Sequence, residues 1–249
     1  MLFNRFLVLN VKKIYVGIDS CKAGWSCAVL KDDKINIHLF SSIKDLIDNL
    51  GINIKAWIDI PIGLGSRNKP RDVDQLLRDQ LPSFKQSVFN CPTRKAVYAN
   101  TYLDSKKINQ QETNKSLSIQ SWFITHKIKD LDSFLINNPS LRTLFEEAHP
   151  EFCFFLLNNN TKLNNPKHTK KGIDERIKIL ERFQPNISNV YGSALKKYLR
   201  KDLKKDDIVD SLALLISLVH KKETKYIVSE HIADQKNITM RIVYPKLTL

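Results

Sequence analysis

Glycine is scarce in this 249-residue chain, with only 7 in all. None falls in a G-x-G-x-x-G or Walker-type run, so the usual backbone cradles for nucleotide phosphates are missing and Rossmann and P-loop readings drop out. Cysteine is equally sparse. Cys21, Cys27, Cys91 and Cys153 are scattered with no C-x-x-C pair, which argues against a zinc knuckle or a disulfide framework and for buried thiols. No apolar run approaches the roughly 18 to 20 residues that cross a bilayer, so no membrane partner is expected. Internal repeats and low-complexity linkers are also missing. The opening residues 1–11 carry a short apolar stretch without a small-residue cleavage site, and read as an N-terminal extension of a cytoplasmic protein.

What is abundant is positive charge. Lys and Arg number 40 against 26 Asp and Glu, a formal net charge of +14, while 42% apolar residues leave ample material for a core. Between Lys162 and Lys205 stand 13 basic and 4 acidic residues. Lys196, Arg200 and Lys204 recur at helical spacing, as do Lys197, Lys201 and Lys205, so a single helix would carry them as a positive ridge. Such a ridge suits the phosphate backbone of nucleic acid. A solvated helix in a Lys-, Asn- and Ile-rich chain explains it equally well.

The order of elements predicts one mixed α/β domain over residues 12–249. Strands are expected at Ile14–Asp19, Trp25–Leu30 and Ile35–Phe40, forming an antiparallel meander, followed by a helix capped by Ser41 or Ser42 and running to Asn49. Ala56–Ile60 is nearly all apolar and reads as a buried strand parallel to the first. Arg71–Leu81 and Ser116–Leu135 read as helices, with a long loop over 82–100 between them. A strand is expected between Arg142 and Ala148, and Pro150 to Leu157 can start a helix at the N1 position that proline favours. Ile173–Phe183, Ser193–Lys201 and Asp207–His220 read as helices, and two short strands, Tyr226–Ser229 and Ile238–Tyr244, close the chain. Residues 67–139 form a helical insert.

Three acidic sites fall where this topology would gather them. Asp19 ends the first strand and Asp59 the fourth; if these strands are adjacent and parallel, both carboxylates emerge at the edge where open α/β sheets bind ligands. Asp207 and Asp210 open a strongly apolar helix, three residues apart on one face. Taken singly, each has a plain explanation: helix-dipole compensation for the pair, and a strand-ending turn for Asp59. Together they would repel unless a cation neutralised them, and hard oxygen ligands suit Mg²⁺ or Mn²⁺. Two such ions about 3.5 to 4 Å apart can activate water and stabilise the leaving oxygen of a phosphodiester.

The meander ending in Asp19, the central strand ending in Asp59 and the late D-x-x-D helix resemble the ribonuclease H-like superfamily, and Asp207-Ile208-Val209-Asp210 is similar to the last catalytic helix of bacterial Holliday-junction resolvases. More closely, Gly17-Ile18-Asp19 with Gly24-Trp25 and Ile58-Asp59-Ile60-Pro61-Ile62-Gly63-Leu64 resemble the family catalogued as domain of unknown function 429. Further signatures follow in order: Arg71-x-x-Asp74-x-x-x-Arg78, Ser87-Val88-Phe89 leading to Pro92-x-Arg94, Glu147-Ala148-His149-Pro150-Glu151, and Lys171-Gly172 before Arg176. The turn Ser20-Cys21-Lys22-Ala23 departs from the small, Gly- or Pro-bearing turn of that family and places Lys22 near Asp19.

The resemblance implies a ribonuclease H-like mixed five-stranded sheet flanked by helices and a metal-dependent nuclease acting on DNA or RNA with two Mg²⁺ or Mn²⁺ ions. It makes Asp19, Asp59, Asp207 and Asp210 the metal carboxylates, Glu147 and Glu151 an extra ligand or base, and His149 a group orienting water or leaving group. Arg71, Arg78 and Arg94 become candidate phosphate clamps, with Lys171 and Arg176 also facing substrate; salt bridging to Asp74 or the acidic cluster is the other reading for the arginines. A homodimer is expected only if the substrate is a symmetric junction. Two competing functions share the fold: a non-catalytic nucleic-acid-binding protein, and an actin-like or sugar-kinase-like phosphotransferase, which the shortage of glycine and the chain length disfavour.

Overall fold

A computed structural model describes residues 12–247; the N-terminal extension expected over 1–11 lies outside the described residues. Strands β1 (Ile14–Cys21), β2 (Gly24–Lys31) and β3 (Lys34–Phe40) form the antiparallel meander, and helix α1 (Ile43–Leu50) follows, capped by Ser42, whose side chain accepts from the Asp45 N–H. The chain then returns through β4 (Ile54–Ile58). Helices α2 (Val73–Gln80), α3 (Arg94–Val97), α4 (Tyr102–Thr113) and α5 (Ile119–Asn137) precede β5 (Phe145–Glu147). Then come α6 (Pro150–Leu157), α7 (Lys170–Glu181), α8 (Ile187–Lys197) and α9 (Lys205–His220), and the chain closes on β6 (Glu223–Ala233) and β7 (Thr239–Lys246).

The main sheet has the order β3-β2-β1-β4-β5, with β1, β4 and β5 mutually parallel and the hairpins antiparallel. This is a mixed five-stranded α/β sheet consistent with a ribonuclease H-like fold. Side chains alternate across it. Val16, Ile18, Trp25, Cys27, Val29, Ala56 and Ile58 share a core with α1 and α5, so α5 helps to cover the sheet. On the other face Ala28 and Ile37 pack with α7, α8 and α9, while Trp57 meets Leu214 and Leu218 of α9.

Gly17 decides how close α9 comes. A Cβ there would lie 2.1 Å from the Ser211 carbonyl oxygen and 2.3 Å from the Leu215 nitrogen, so the bare glycine lets the helix backbone rest on β1. Across the interface Ser26 and Ser211 hydroxyls meet at 3.2 Å. The start of α9 is thereby carried to the end of β1.

Four expectations need correction. The stretch 82–100 is not a continuous loop, since it holds a 3-10 turn at Lys85–Ser87 and the short α3. Helix α4 was not anticipated: its sequence YLDSKKINQQET is polar, with only a weak apolar stripe. The closing strands are longer than expected and form a separate two-stranded sheet. Finally, no single helix carries the basic ridge. Helix α8 stops at Lys197 because Tyr198 turns extended and its hydroxyl donates to the Ile37 carbonyl, so Arg200 and Lys201 occupy a turn and Lys204 and Lys205 begin the next helix. Among the described residues no helix is long and apolar enough to cross a membrane.

Candidate active site

Parity in the sheet places the acidic residues. Asp19 lies two residues after Gly17 and Asp59 two after Trp57, so both share the α9 face at the carboxyl ends of parallel β1 and β4. The Asp59 N–H continues the ladder by donating to the Ile18 carbonyl at 2.9 Å. Asp210 and Asp207, in the first turns of α9, arrive from above. Asp19 and Asp210 are buried, at 6% and 1% exposure; Asp59 and Asp207 are half-buried.

The electrostatics mark a crowded site. Burial pushes the Asp19 carboxyl well above the ordinary range, and Asp210, Asp59 and Asp207 add repulsion. Burial likewise raises Asp59 to about 7, with Lys167 pulling it down and Asp210 and Glu151 pushing it up. Asp207 rises to about 6, again chiefly through burial, although its carboxylate caps the Lys204 N–H at 2.9 Å. Asp19 accepts the Ser20 N–H at 2.7 Å, while the buried Oδ1 of Asp210 has no hydrogen-bond partner.

Among the described residues one cation enters this cluster, and sequence reasoning missed it. Lys167, in the segment before α7, donates its ammonium to Asp210 at 2.5 Å. Burial works against that charge, yet Asp210, Asp19 and Asp59 hold its pKa above the ordinary lysine range. Lys22, the lysine expected near Asp19, is exposed in the β1–β2 turn. Lys167 also borders a cavity of about 260 Å³, with His168, Arg200, Lys204, Lys205 and Asp206 around it. Part of the basic run predicted as a ridge thus stands at the mouth of the acidic cluster. As the side chains stand, no three His, Cys, Asp or Glu groups among the described residues are arranged to hold an ion.

The other sequence-predicted residues divide sharply. Glu147 pairs in register with Ile58, so its carboxylate leaves the sheet on the face opposite Asp59 and is taken by Arg71, although both residues border one small cavity at the sheet edge. There it accepts from the Ile62 N–H at 2.7 Å and from Arg71, and burial raises it to about 7. Glu151, in the first turn of α6, does lie within electrostatic reach of Asp59 and Asp210, but both its oxygens accept from Arg176 at 2.6 and 2.8 Å. His149 caps α6 through Nδ1, which accepts from the Phe152 N–H, and its Nε2 stands 3.4 Å from the Ser87 hydroxyl. Burial, then Lys167, lowers it to about 4, so it is a neutral imidazole at physiological pH. It lines a small cavity with Asp59, Ser87 and Glu147.

Of the three arginines, Arg71 makes the salt bridge to Asp74 that was the other expectation, Arg94 bridges two different carboxylates, and Arg78 bonds only neutral groups. Arg71 bridges Asp74 and Glu147 and donates to the Ile62 and Gly63 carbonyls. Arg94 grips Asp132 twice and also Asp234. Arg78 donates to Gln75, Val88 and Asn90, tying down the loop after α2. Arg176, fully buried, lies over the Phe84 and Phe154 rings. Only Lys171 of the predicted substrate-facing set is exposed.

An α/β chain with the ribonuclease H-like strand order and acidic side chains gathered at the ends of its parallel strands is the class that fold and site define. The family DUF429, described as a protein of unknown function, matches residues 17–220, and the chain belongs to it. No curated protein and no solved structure matches it.

Proposed function

We propose that the protein is a divalent-cation-dependent nuclease that hydrolyses phosphodiester bonds of DNA or RNA. The observation that carries this reading is the convergence of Asp19, Asp59 and Asp210 against a single ammonium, with one buried oxygen of Asp210 left without a partner. The donor set is all oxygen and over-acidic, which fits Mg²⁺ or Mn²⁺ and does not favour softer metals. Asp19, Asp59, Asp207 and Asp210 would hold the ions. When bound, a pair of such cations supplies charge neutralisation and an activated water for attack at phosphorus.

The chain's own groups do the rest. Arg200, Lys204 and Lys205, with Asp206 as the one carboxylate among them, offer a net positive rim on which a phosphate backbone can rest. Glu151, with both oxygens held by Arg176, is suited to a structural role rather than to moving a proton. His149, neutral and committed through Nδ1, can donate only from Nε2, which suits orientation of a water or an oxygen. Four free thiols and no disulfide among the described residues support a cytoplasmic setting.

The Lys167–Asp210 pair favours a second reading, a nucleic-acid-binding protein without turnover, because an ammonium neutralises a carboxylate that the nuclease needs. Incubation with labelled single-stranded, duplex, hybrid and four-way-junction substrates in Mn²⁺ or Mg²⁺ separates the two. Cleavage by the full chain that EDTA, Asp19→Asn and Asp210→Asn each abolish is the expected result. Binding without cleavage, unaltered by either substitution, would establish the second reading.

A further inference from the structure

We propose that Lys167 is an exchangeable internal counterion, whose ammonium holds Asp210 until a divalent cation takes the carboxylate and displaces it. This rests on the cation-binding reading above and concerns how that site is regulated. Three observations carry it. The ammonium donates to one oxygen of Asp210 at 2.5 Å, while the other oxygen, equally buried, has no partner, so the carboxylate is only half engaged. One positive charge faces Asp19, Asp59 and Asp210, and exchanging it for a dication brings the cluster closer to neutrality.

The side chain also has somewhere to go. It is 37% exposed although its partner is 1% exposed, so it reaches in from the surface rather than being packed in place. Lys167 borders the cavity of about 260 Å³ that Arg200, Lys204, Lys205 and Asp206 also line, where Asp206 offers a displaced ammonium a second carboxylate. Three cations stand there against the single carboxylate of Asp206, which makes the pair with buried Asp210 the favoured position until a cation competes. Arg176 shows the contrast: fully buried, stacked between two rings and bidentate on Glu151, it has no such path.

Calorimetric titration of Mn²⁺ into the full chain, Lys167→Gln and Lys167→Arg tests the exchange. Removing the competitor should tighten Mn²⁺ binding about 10-fold in K167Q, while K167R, which keeps the charge, should bind no more tightly than the unaltered chain. The unaltered protein supplies an independent readout should K167Q fail to fold. Trace acetylation at pH 7.5, followed by peptide mass spectrometry, should show Lys167 labelling rising at least about threefold on Mn²⁺ addition, relative to exposed Lys22, because an amine held by a carboxylate is protected and a released one is not. Mn²⁺ binding with equal or weaker affinity in K167Q, or with unchanged Lys167 labelling, would overturn the exchange while leaving the cation site standing. Absence of Mn²⁺ binding in every form would overturn both.

Discussion

Two kinds of ionic cluster lie within one molecule and obey opposite rules. Around Arg71, Arg94 and Arg176 each carboxylate is gripped by a guanidinium: Asp74 and Glu147 share Arg71, Asp132 and Asp234 share Arg94, and Glu151 takes two hydrogen bonds from Arg176, whose Nε alone stays without a partner. At the ends of β1 and β4, Lys167 bonds Asp210 alone, Asp19 and Asp59 lie within its electrostatic reach without a bond to it, and the second oxygen of Asp210 is orphaned. A buried pair with its hydrogen bonds complete holds a fold in place; a buried excess of one sign is tolerated where a ligand of the other sign completes it. On the proposed function, the difference separates ion pairs that hold the fold from carboxylates that would hold a cation.

Breaking a matched pair should cost the most. Arg176→Met leaves Glu151 buried and uncompensated, an expected loss of about 3 to 5 kcal/mol in denaturant unfolding. Adding Glu151→Gln should return much of it, since the double change removes the stranded charge; a double variant no better than R176M would show that the ring contacts of Arg176 matter more than its charge.

The unmatched cluster should respond with the opposite sign. Asp59→Asn removes a carboxyl that burial has raised to about 7, and should stabilise the protein by about 1 to 2 kcal/mol at pH 8 while lowering affinity for divalent ions. A raised acid pKa means that the folded state binds the proton more tightly than the unfolded chain does. Its contribution is therefore fully present below about pH 4 and lost as pH rises through about 7. The stabilisation by D59N should accordingly vanish at pH 4. His149, whose lowered pKa acts in the reverse direction over the same range, is common to both proteins, so the difference between their pH profiles isolates Asp59. The smallest effect is expected from Arg78→Ala. Its donors meet the Val88 carbonyl and two neutral side chains at a partly open surface, so the loss should be about 1 kcal/mol or less by thermal unfolding.

Much of the architecture was legible because it is written locally. The alternation in Ile14–Cys21 and Gly24–Lys31, the Ser42 cap and the apolar run before Asp59 each announce their element, and the parallel pairing of β1 with β4 then brings Asp19 and Asp59 to one edge. Glu147 was expected as an extra ligand or base, but its parity in β5 sends its carboxylate from the other face of the sheet to Arg71. Lys167 was invisible for a different reason. Its partner is 43 positions away, and the lysine sits in an Asn-, Pro- and Lys-rich segment where one more basic residue carries no signal. The basic ridge failed because spacing alone does not register Tyr198, whose anchoring to β3 ends the helix between the two halves of the pattern. Glycine at 17 was readable as part of a motif, but its purpose, admitting the backbone of α9, belongs to tertiary structure.

The most direct test of the contrast is an electron paramagnetic resonance titration of Mn²⁺ against the unaltered chain and Asp210→Asn, following loss of the free-ion signal. The account predicts uptake by the unaltered chain and binding weakened about 10-fold or more in D210N. Equal uptake by both proteins, or none by either, would contradict the claim that the unmatched carboxylates at the ends of β1 and β4 form a cation site.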